Sequence, residues 1–252
     1  MEVTLISRPT LIEIPSRAGV PREDQMCGPD GQRLVELAGR ICYDSLGKGR
    51  TSEQYAEHIL EVGHGSVLEH AQYTFLISGV SRGLTHELVR HRAGVAISQR
   101  STRYVDEADS PWVDHPLVEA YLEAADDPEL EETIKAAKDA GRKAYRATAK
   151  ALEIWLNAQE VDKATARKQA RGAARGYLGN ALETELVWSA NVRALLHVIR
   201  ERGSIHADAE IRRLAVKLAE IMKAELPAYF GHVELEHSDD GLGYTTNNVK
   251  QV

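Results

Sequence analysis

The segment "LVRHRAGVAISQRSTRYV", residues 88 to 105, packs Arg90, His91, Arg92, Arg100 and Arg103 into fourteen positions. Ser98, Gln99, Ser101, Thr102 and Tyr104 lie among them. The whole chain carries a net charge of -7, so this is a local cationic concentration in an acidic protein. Arginine presents a planar fork that grips phosphate with two parallel bonds, and its charge does not change over the working pH range. Ser101 and Thr102 add hydroxyl and backbone donors. A plain surface charge run is the competing reading. Arg90 and Arg92 flank His91, however, and so point in different directions rather than sharing one solvated face. A binding site for a small anion is the sharper expectation.

With 252 residues, the chain suffices for one large domain with a substantial core, or for two small ones. No apolar run approaches the roughly 20 residues that span a bilayer, so no membrane partner is expected. The N-terminal "MEVTLISRPTLIEIPSR" has Glu2 and no basic opening, which argues against a signal peptide. Its alternation reads as a first strand. Cys27 and Cys42 cannot build a framework of several disulfides, and a reducing, cytoplasmic compartment is expected. The acidic balance argues against broad nucleic-acid binding.

Periodicity then sets out the elements. "RAGVPREDQMCGPDG" reads as a loop, and residues 30–43 as a helix with Leu34, Leu37, Ala38 and Ile41 on its apolar stripe. Thr51 and Gln54 stand at capping-box spacing before a helix that stops at Gly63. "EHAQYTFLIS" alternates as a strand, "SRGLTHELVRHR" reads as a Ser-capped helix, and "QRSTRYV" as extended. From Pro116 to about Leu178 the pattern is helical, with Asp127 and Pro128 opening its second helix. Gly141 interrupts that stripe. Further helices are expected over about 187–202 and 207–225, closed by Pro227. The tail "EHSDDGLGYTTNNVKQV" is polar with few anchors and reads as mobile. The result is one α+β domain with its strands concentrated in the first half.

Other chemistries find little support. His64 and His70 are six apart and His86 and His91 five apart, where a helical metal pair needs three or four, so no metal site is expected. No Gly-x-Ser-x-Gly elbow, Walker-type loop or Gly-x-Gly-x-x-Gly turn occurs. Cys42 lies on the apolar stripe, where an inert buried thiol is usual. A second polar cluster follows in the C-terminal half: Arg175, Asn191, Arg193, Arg200, Arg202 and His206. Arg200 and Arg212 read there as the outer, charged side of amphipathic helices.

Together these residues resemble a known family. "RHRAGVAISQRSTRY" is similar to the signature of the flavin-dependent thymidylate synthases (the ThyX family), Arg-His-Arg, seven residues, Ser, then x-Arg-Tyr. "GHGSVLEHAQYTF" resembles that family's Gly-His-x-Ser/Thr-x-x-Glu-His block. "SANVRALLHVIRERGSIHADAEIR" resembles its Asn-x-Arg-x-Leu helix followed by Arg-x-x-x-His. The three blocks stand in the family's order. Here eight residues rather than seven separate Arg92 from Ser101, Gln99 stands where an acidic residue is often found, and His197 where Asn is common.

The resemblance implies an α+β, ThyX-like domain over residues 1–235, with a small, mostly antiparallel sheet in the first half and a helical second half. A tail follows over 236–252. It implies reductive methylation of dUMP to dTMP, with methylenetetrahydrofolate as carbon donor and NADPH as reductant through FAD. FAD would be held by Ser66, Arg90, His91, Arg92, Gln99, Asn191, Arg193 and His197. The substrate dUMP would meet Glu87, Arg90, Gln99, Arg100, Ser101, Thr102, Arg103, Arg175 and Arg202. Arg202 and His64 are the catalytic candidates. Arg202 would stabilise the enolate-like charge that develops on the uracil as C5 attacks the methylene carbon. His64, beside Glu69, would orient the folate and flavin rings. The classical thymidylate synthase depends instead on a cysteine nucleophile, for which neither cysteine here has a suitable context. A homotetramer with shared active sites is also implied. Two alternatives stay open: a family member that binds nucleotide and flavin without turnover, and a single-stranded RNA or nucleotide-binding module.

Overall fold

The computed structural model describes residues 1–12, 26–46 and 49–252. Its elements are β1 (Glu2–Ser7), α1 (Asp30–Cys42), α2 (Ser52–Glu61), a 3-10 turn (Gly65–His70), β2 (Gln72–Ser81), α3 (Arg82–Leu88) and β3 (Val95–Gln99). Then come α4 (Pro116–Ala125), α5 (Pro128–Ala158), α6 (Lys163–Ala174), a 3-10 turn (Arg175–Tyr177), β4 (Glu183–Asn191), α7 (Val192–Arg202), α8 (Ala209–Glu225), α9 (Pro227–Phe230), β5 (Glu234–His237) and β6 (Tyr244–Asn247). The α+β class expected from the sequence is the one observed. The loop reading over residues 17–25 and the end of the N-terminal strand reading, residues 13–17, lie outside the described residues.

Four strands form a sheet in the order β1-β2-β4-β3. β4 runs antiparallel to β3, because Asn191 N donates to Gly94 O while Arg100 N donates to Glu185 O. It runs antiparallel to β2 as well, with Val192 N on Ala71 O and Arg82 N on Leu182 O. The chain gathers into two compact units, one of Met1–Ile77, Glu87–Ser98 and Val187–Val252, the other of Ser78–His86 and Gln99–Leu186.

Capping chemistry sets several helix starts. Thr51 and Gln54 form the reciprocal capping box, closing α2's first turn. Ser81 Oγ accepts from Leu84 N at 3.0 Å and begins α3. Asp127 Oδ1 accepts from Leu130 N at 3.0 Å, with Pro128 in the first helical position of α5. α5 then runs 31 residues through Gly141. A Cβ at Gly141 would stand 2.9 Å from Tyr177 O, so the glycine lets the 3-10 turn Arg175–Tyr177 close against the long helix. α6 lies on α5 through Ala166, Ala170 and Ala174, one buried alanine per turn.

Two expectations are corrected here. Residues 187–202 are not one helix: β4 occupies the stretch through Asn191, and α7 begins at Val192. The reason is a period of two, with Thr184, Leu186, Trp188 and Ala190 buried on one face. In the first unit this face carries Trp188, whose ring centroid lies 6.0 Å from that of Phe75. The second correction concerns α1. Its buried face is Gln32, Val35, Glu36, Gly39 and Arg40, while Ile41 of the apolar stripe is 58% exposed. Arg40 Nε reaches Glu36 Oε1 at 2.7 Å, and its guanidinium lies 4.5 Å from the centre of the Tyr55 ring. Pairing offsets the desolvation of both charges, so a polar face can turn inward. Cys42 is accordingly exposed rather than buried.

The polar C-terminal segment has more anchors than its composition suggests. β5 and β6 pair antiparallel, Glu234 against Asn247 through His237 against Tyr244. Thr246 N donates to Gly203 O at 2.8 Å, and Thr246 Oγ1 donates to Ile199 O at 2.9 Å. Arg212, 1% exposed, donates to Asp240 Oδ2 at 2.6 Å. The hydrogen bond of Ser238, then that of Leu242 N and the Arg212 guanidinium, hold the Asp240 carboxyl down at about 2. No helix among the described residues is long and apolar enough to cross a membrane.

Candidate active site

In the first unit the cationic motif leaves the helix before it begins. α3 ends at Leu88, and the chain turns with Arg90 N on Glu87 O and His91 N on Leu88 O. Arg90, His91 and Arg92 therefore project from a turn. With Ala93, Ala194, His197 and Val198 they line one opening. A neighbouring opening of about 550 Å³ is lined by Glu69, Ala93, Gly94, Asn191, Arg193, Ala194, His197, Arg200 and Lys250–Val252. Arg193, His197 and Arg200 follow i, i+4, i+7 spacing and so share one face of α7. Arg200, read from sequence as an outer charge, belongs to this wall.

Asn191 caps α7: its Oδ1 accepts from Ala194 N at 2.9 Å. Gly94 fits against it with φ of 71°, where a Cβ would lie 2.4 Å from Asn191 Nδ2. Gly94→Ala is therefore expected to dislodge the cap and to strain the backbone. Loss of an N-cap costs about 1 kcal/mol, and alanine at positive φ adds to it. Urea unfolding should show the variant about 1–3 kcal/mol less stable; an unchanged midpoint would remove this packing from the account.

Arg202, at the end of α7, is fixed on two sides. Its Nε donates to His91 Nε2 at 2.8 Å, and its Nη1 reaches Glu87 Oε2 at 2.7 Å. His91 must accept at Nε2 and is therefore the neutral imidazole. Burial, then the charges of Arg202 and His197, lower its pKa. The His197 ring stands edge-on to it at 5.3 Å. Burial raises the Glu87 carboxyl, opposed by Arg202. A guanidinium carries five N–H groups, so Nη2 stays available to a ligand.

Not every first-unit candidate joins these walls. Ser66 is exposed on the 3-10 turn Gly65–His70, and neither it nor His64 lines either opening. His64 instead meets Tyr43 edge-on at 5.0 Å, with Nδ1 buried and unpartnered among the described residues. From the same turn Glu69 does arrive, bonding Arg193 Nη1 at 2.7 Å.

The second unit holds the other half of the motif. "QRSTRYV" is extended only as far as the end of β3. The chain then turns, with Tyr104 N and Val105 N both on Ser101 O, because Ser101 and its neighbours bond locally rather than to a strand. The Gln99 amide is pinned by Thr85 Oγ1 at 3.1 Å and Thr184 Oγ1 at 3.4 Å. Arg103 N donates to Ser101 Oγ at 3.4 Å, and Arg175 Nη1 to the buried Thr102 Oγ1 at 3.4 Å. Arg100 is committed to Ser110 Oγ and to the carboxylates of Glu107 and Glu185. The Arg103 guanidinium has no ion pair among the described residues.

Sequence reasoning missed Arg82. It donates to Thr184 Oγ1 and to Arg100 O. Burial pushes its pKa down; Glu107 opposes this, and repulsion from Arg175 and Arg100 adds to it. Arginines crowded this closely, with one buried carboxylate near them, form a ready anion cradle. The missed signal was its position as the first residue of α3, directly after a Ser cap. No cluster of metal-ligating side chains occurs among the described residues.

The Thy1 family profile, thymidylate synthase complementing protein, matches residues 24–228. A protein of Mycobacterium marinum named flavin-dependent thymidylate synthase is 46% identical over 221 residues, 86% of this chain and 85% of its own length. A protein of the same name from Mycobacterium sp. (strain JLS) is 44% identical over 253 residues, covering 98% of this chain and 95% of its own length. A third, from Mycobacteroides abscessus, is 46% identical over 215 residues, 84% of this chain and 83% of its own. A match of this breadth places the chain in the family of thymidylate synthase complementing proteins.

Proposed function

We propose that the protein is a flavin-dependent thymidylate synthase, which methylates dUMP at C5 to give dTMP. Methylenetetrahydrofolate is the carbon donor, and NADPH supplies the electrons by way of FAD. The observation that carries this reading is the fixed guanidinium of Arg202, held by a neutral His91 and by Glu87.

The residues of the first unit fit a dinucleotide flavin by their donor chemistry. Arg90 and Arg92 have no ion pair among the described residues, the capped N-terminus of α7 faces the same side, and anions are favoured at such a terminus. Arg90, Arg92, Arg193, His197 and Asn191 would hold it there. When bound, FAD supplies the hydride that turns the transferred methylene into methyl.

The chain's own residues do the rest. Arg103, Ser101 and the crowded Arg82 and Arg175 bind the phosphate of dUMP. Arg202 presents Nη2 to the uracil and stabilises charge at its carbonyl and N3 as C5 becomes nucleophilic. His91 and Glu87 keep that guanidinium in place, so no reorganisation is needed as charge develops. Assembly of the active site from several copies of the chain in a homotetramer is part of this proposal.

The test is product formation with each component withheld in turn. dTMP should form only when dUMP, methylenetetrahydrofolate, FAD and NADPH are all present. Flavin binding with no dTMP from the complete mixture would leave a binding protein without turnover.

A further inference from the structure

We propose that residues 248–252 form a working wall of the opening beside Arg193, and that Lys250 binds the anionic part of the ligand held there. The inference rests on the flavin reading above, which makes that ligand a phosphate-bearing dinucleotide.

Three observations lead to it. The segment is tied down at both ends of α7. Thr246 bonds Gly203 O and Ile199 O at the helix C-terminus, and Val252 O accepts from Arg193 Nε at 3.3 Å near the N-terminus. Those two points are about 15 Å apart along the helix, at 1.5 Å per residue. The six peptide links from Thr246 to Val252 span at most about 20 Å. The strap therefore runs antiparallel to α7 between these points, with one bend at Asn248, whose φ is 56°.

It is also pinned midway. Asn248 Nδ2 donates to His232 O at 3.3 Å, and Lys250 N donates to His232 Nε2 at 3.2 Å. His232 can accept only as neutral imidazole, and burial followed by the charges of Lys250 and Lys223 favours that form.

The third observation is the charge inventory of the opening. Arg193 is paired with Glu69, and Arg200 with its neighbour Glu201. The Lys250 ammonium has no partner among the described residues, yet the residue lines the same wall. A strap held at three points, carrying one uncommitted cation into an opening whose other cations are spoken for, is suited to supply charge to a ligand.

The test uses the full chain and measures FAD affinity by quenching of flavin fluorescence, at low and at moderate salt. Lys250→Gln should weaken FAD about tenfold, with a shallower salt dependence and an unchanged Tm. Lys250→Arg should bind FAD close to wild type. Deleting residues 249–252 should weaken FAD at least as much as Lys250→Gln. Wild-type affinity in both Lys250→Gln and the deletion would overturn the proposal while leaving the flavin reading intact. Tighter FAD binding in the deletion would overturn it too, since the strap would then be a plug. A wild-type protein that binds no FAD would remove the flavin reading and this proposal with it.

Discussion

Arg202→Ala is expected to lower dTMP formation about 10²–10³-fold while FAD stays bound. Removing one preorganised donor aimed at developing charge costs that much in other oxyanion-type sites. The geometry gives a reason for the upper end of the range. Arg202 is held by two side chains, His91 at 2.8 Å and Glu87 at 2.7 Å, so its position is set before substrate arrives. Arg202→Lys should rescue little, because one ammonium cannot reach His91, Glu87 and the uracil in the same planar arrangement. Arg202→Ala also takes away one of the charges that lower the His91 pKa, so the His91 imidazole should titrate at higher pH than in the wild type, as read by NMR. Single-turnover kinetics on flavin-loaded protein would check the turnover of both variants. Near-normal turnover in Arg202→Ala would take this residue out of the chemistry.

The second large effect concerns the phosphate cradle. Arg103→Ala and Ser101→Ala should each weaken dUMP binding more than FAD binding. A charge-assisted hydrogen bond is worth about 1.5–3 kcal/mol, which corresponds to roughly 10- to 150-fold in Kd. Arg103 should lie toward the upper end, because its guanidinium carries no ion pair among the described residues and its removal leaves no partner stranded. Arg100 is the contrast. Its guanidinium faces Glu107, whose side chain is 1% exposed, at 3.6 Å. Arg100→Ala takes the ion-pair partner from that buried carboxylate, leaving it the Ser110 hydroxyl, and should lower Tm as well as dUMP affinity. Titration calorimetry beside thermal unfolding separates the two outcomes. Equal loss of dUMP and FAD in Arg103→Ala would contradict the division of the motif between two ligands.

Much of the fold could be read from local chemistry. The capping box of Thr51 and Gln54, the Ser81 cap and the Asp127–Pro128 start are local patterns whose geometry needs no distant partner. Where distant contacts decide, local reading failed. The helix expected over about 187–202 takes in the last five residues of β4, because Val187 and Trp188 also suit the face of a helix. The inward face of α1 is polar because Arg40 finds Glu36 and the Tyr55 ring, and the tyrosine lies fifteen positions on. Thr246 looks like an ordinary tail residue until Ile199 O and Gly203 O are seen beside it.

The candidate site divides in the same way. Arg-His-Arg and Ser-x-Arg-Tyr are short motifs visible at a glance, and their Arg, His and Ser residues lie in one of the two clusters, while the Tyr104 ring is exposed beside Lys168. Arg82, Lys250 and Val252 belong to no such motif. Only the fold brings Arg82 toward Arg175, or Val252 to Arg193. Ser66 and His64 show the reverse. They sit inside a recognisable block, yet the openings are lined without them.

The central claim is that this chain binds both a flavin and dUMP for one reaction. The most direct measurement is the visible absorption spectrum of the purified protein loaded with FAD, taken before and after addition of dUMP. The account predicts a bound-flavin band that shifts when dUMP is added, and no such shift in Arg103→Ala at the same dUMP concentration. A protein that stays colourless after FAD loading, or a flavin band that ignores saturating dUMP, would contradict it.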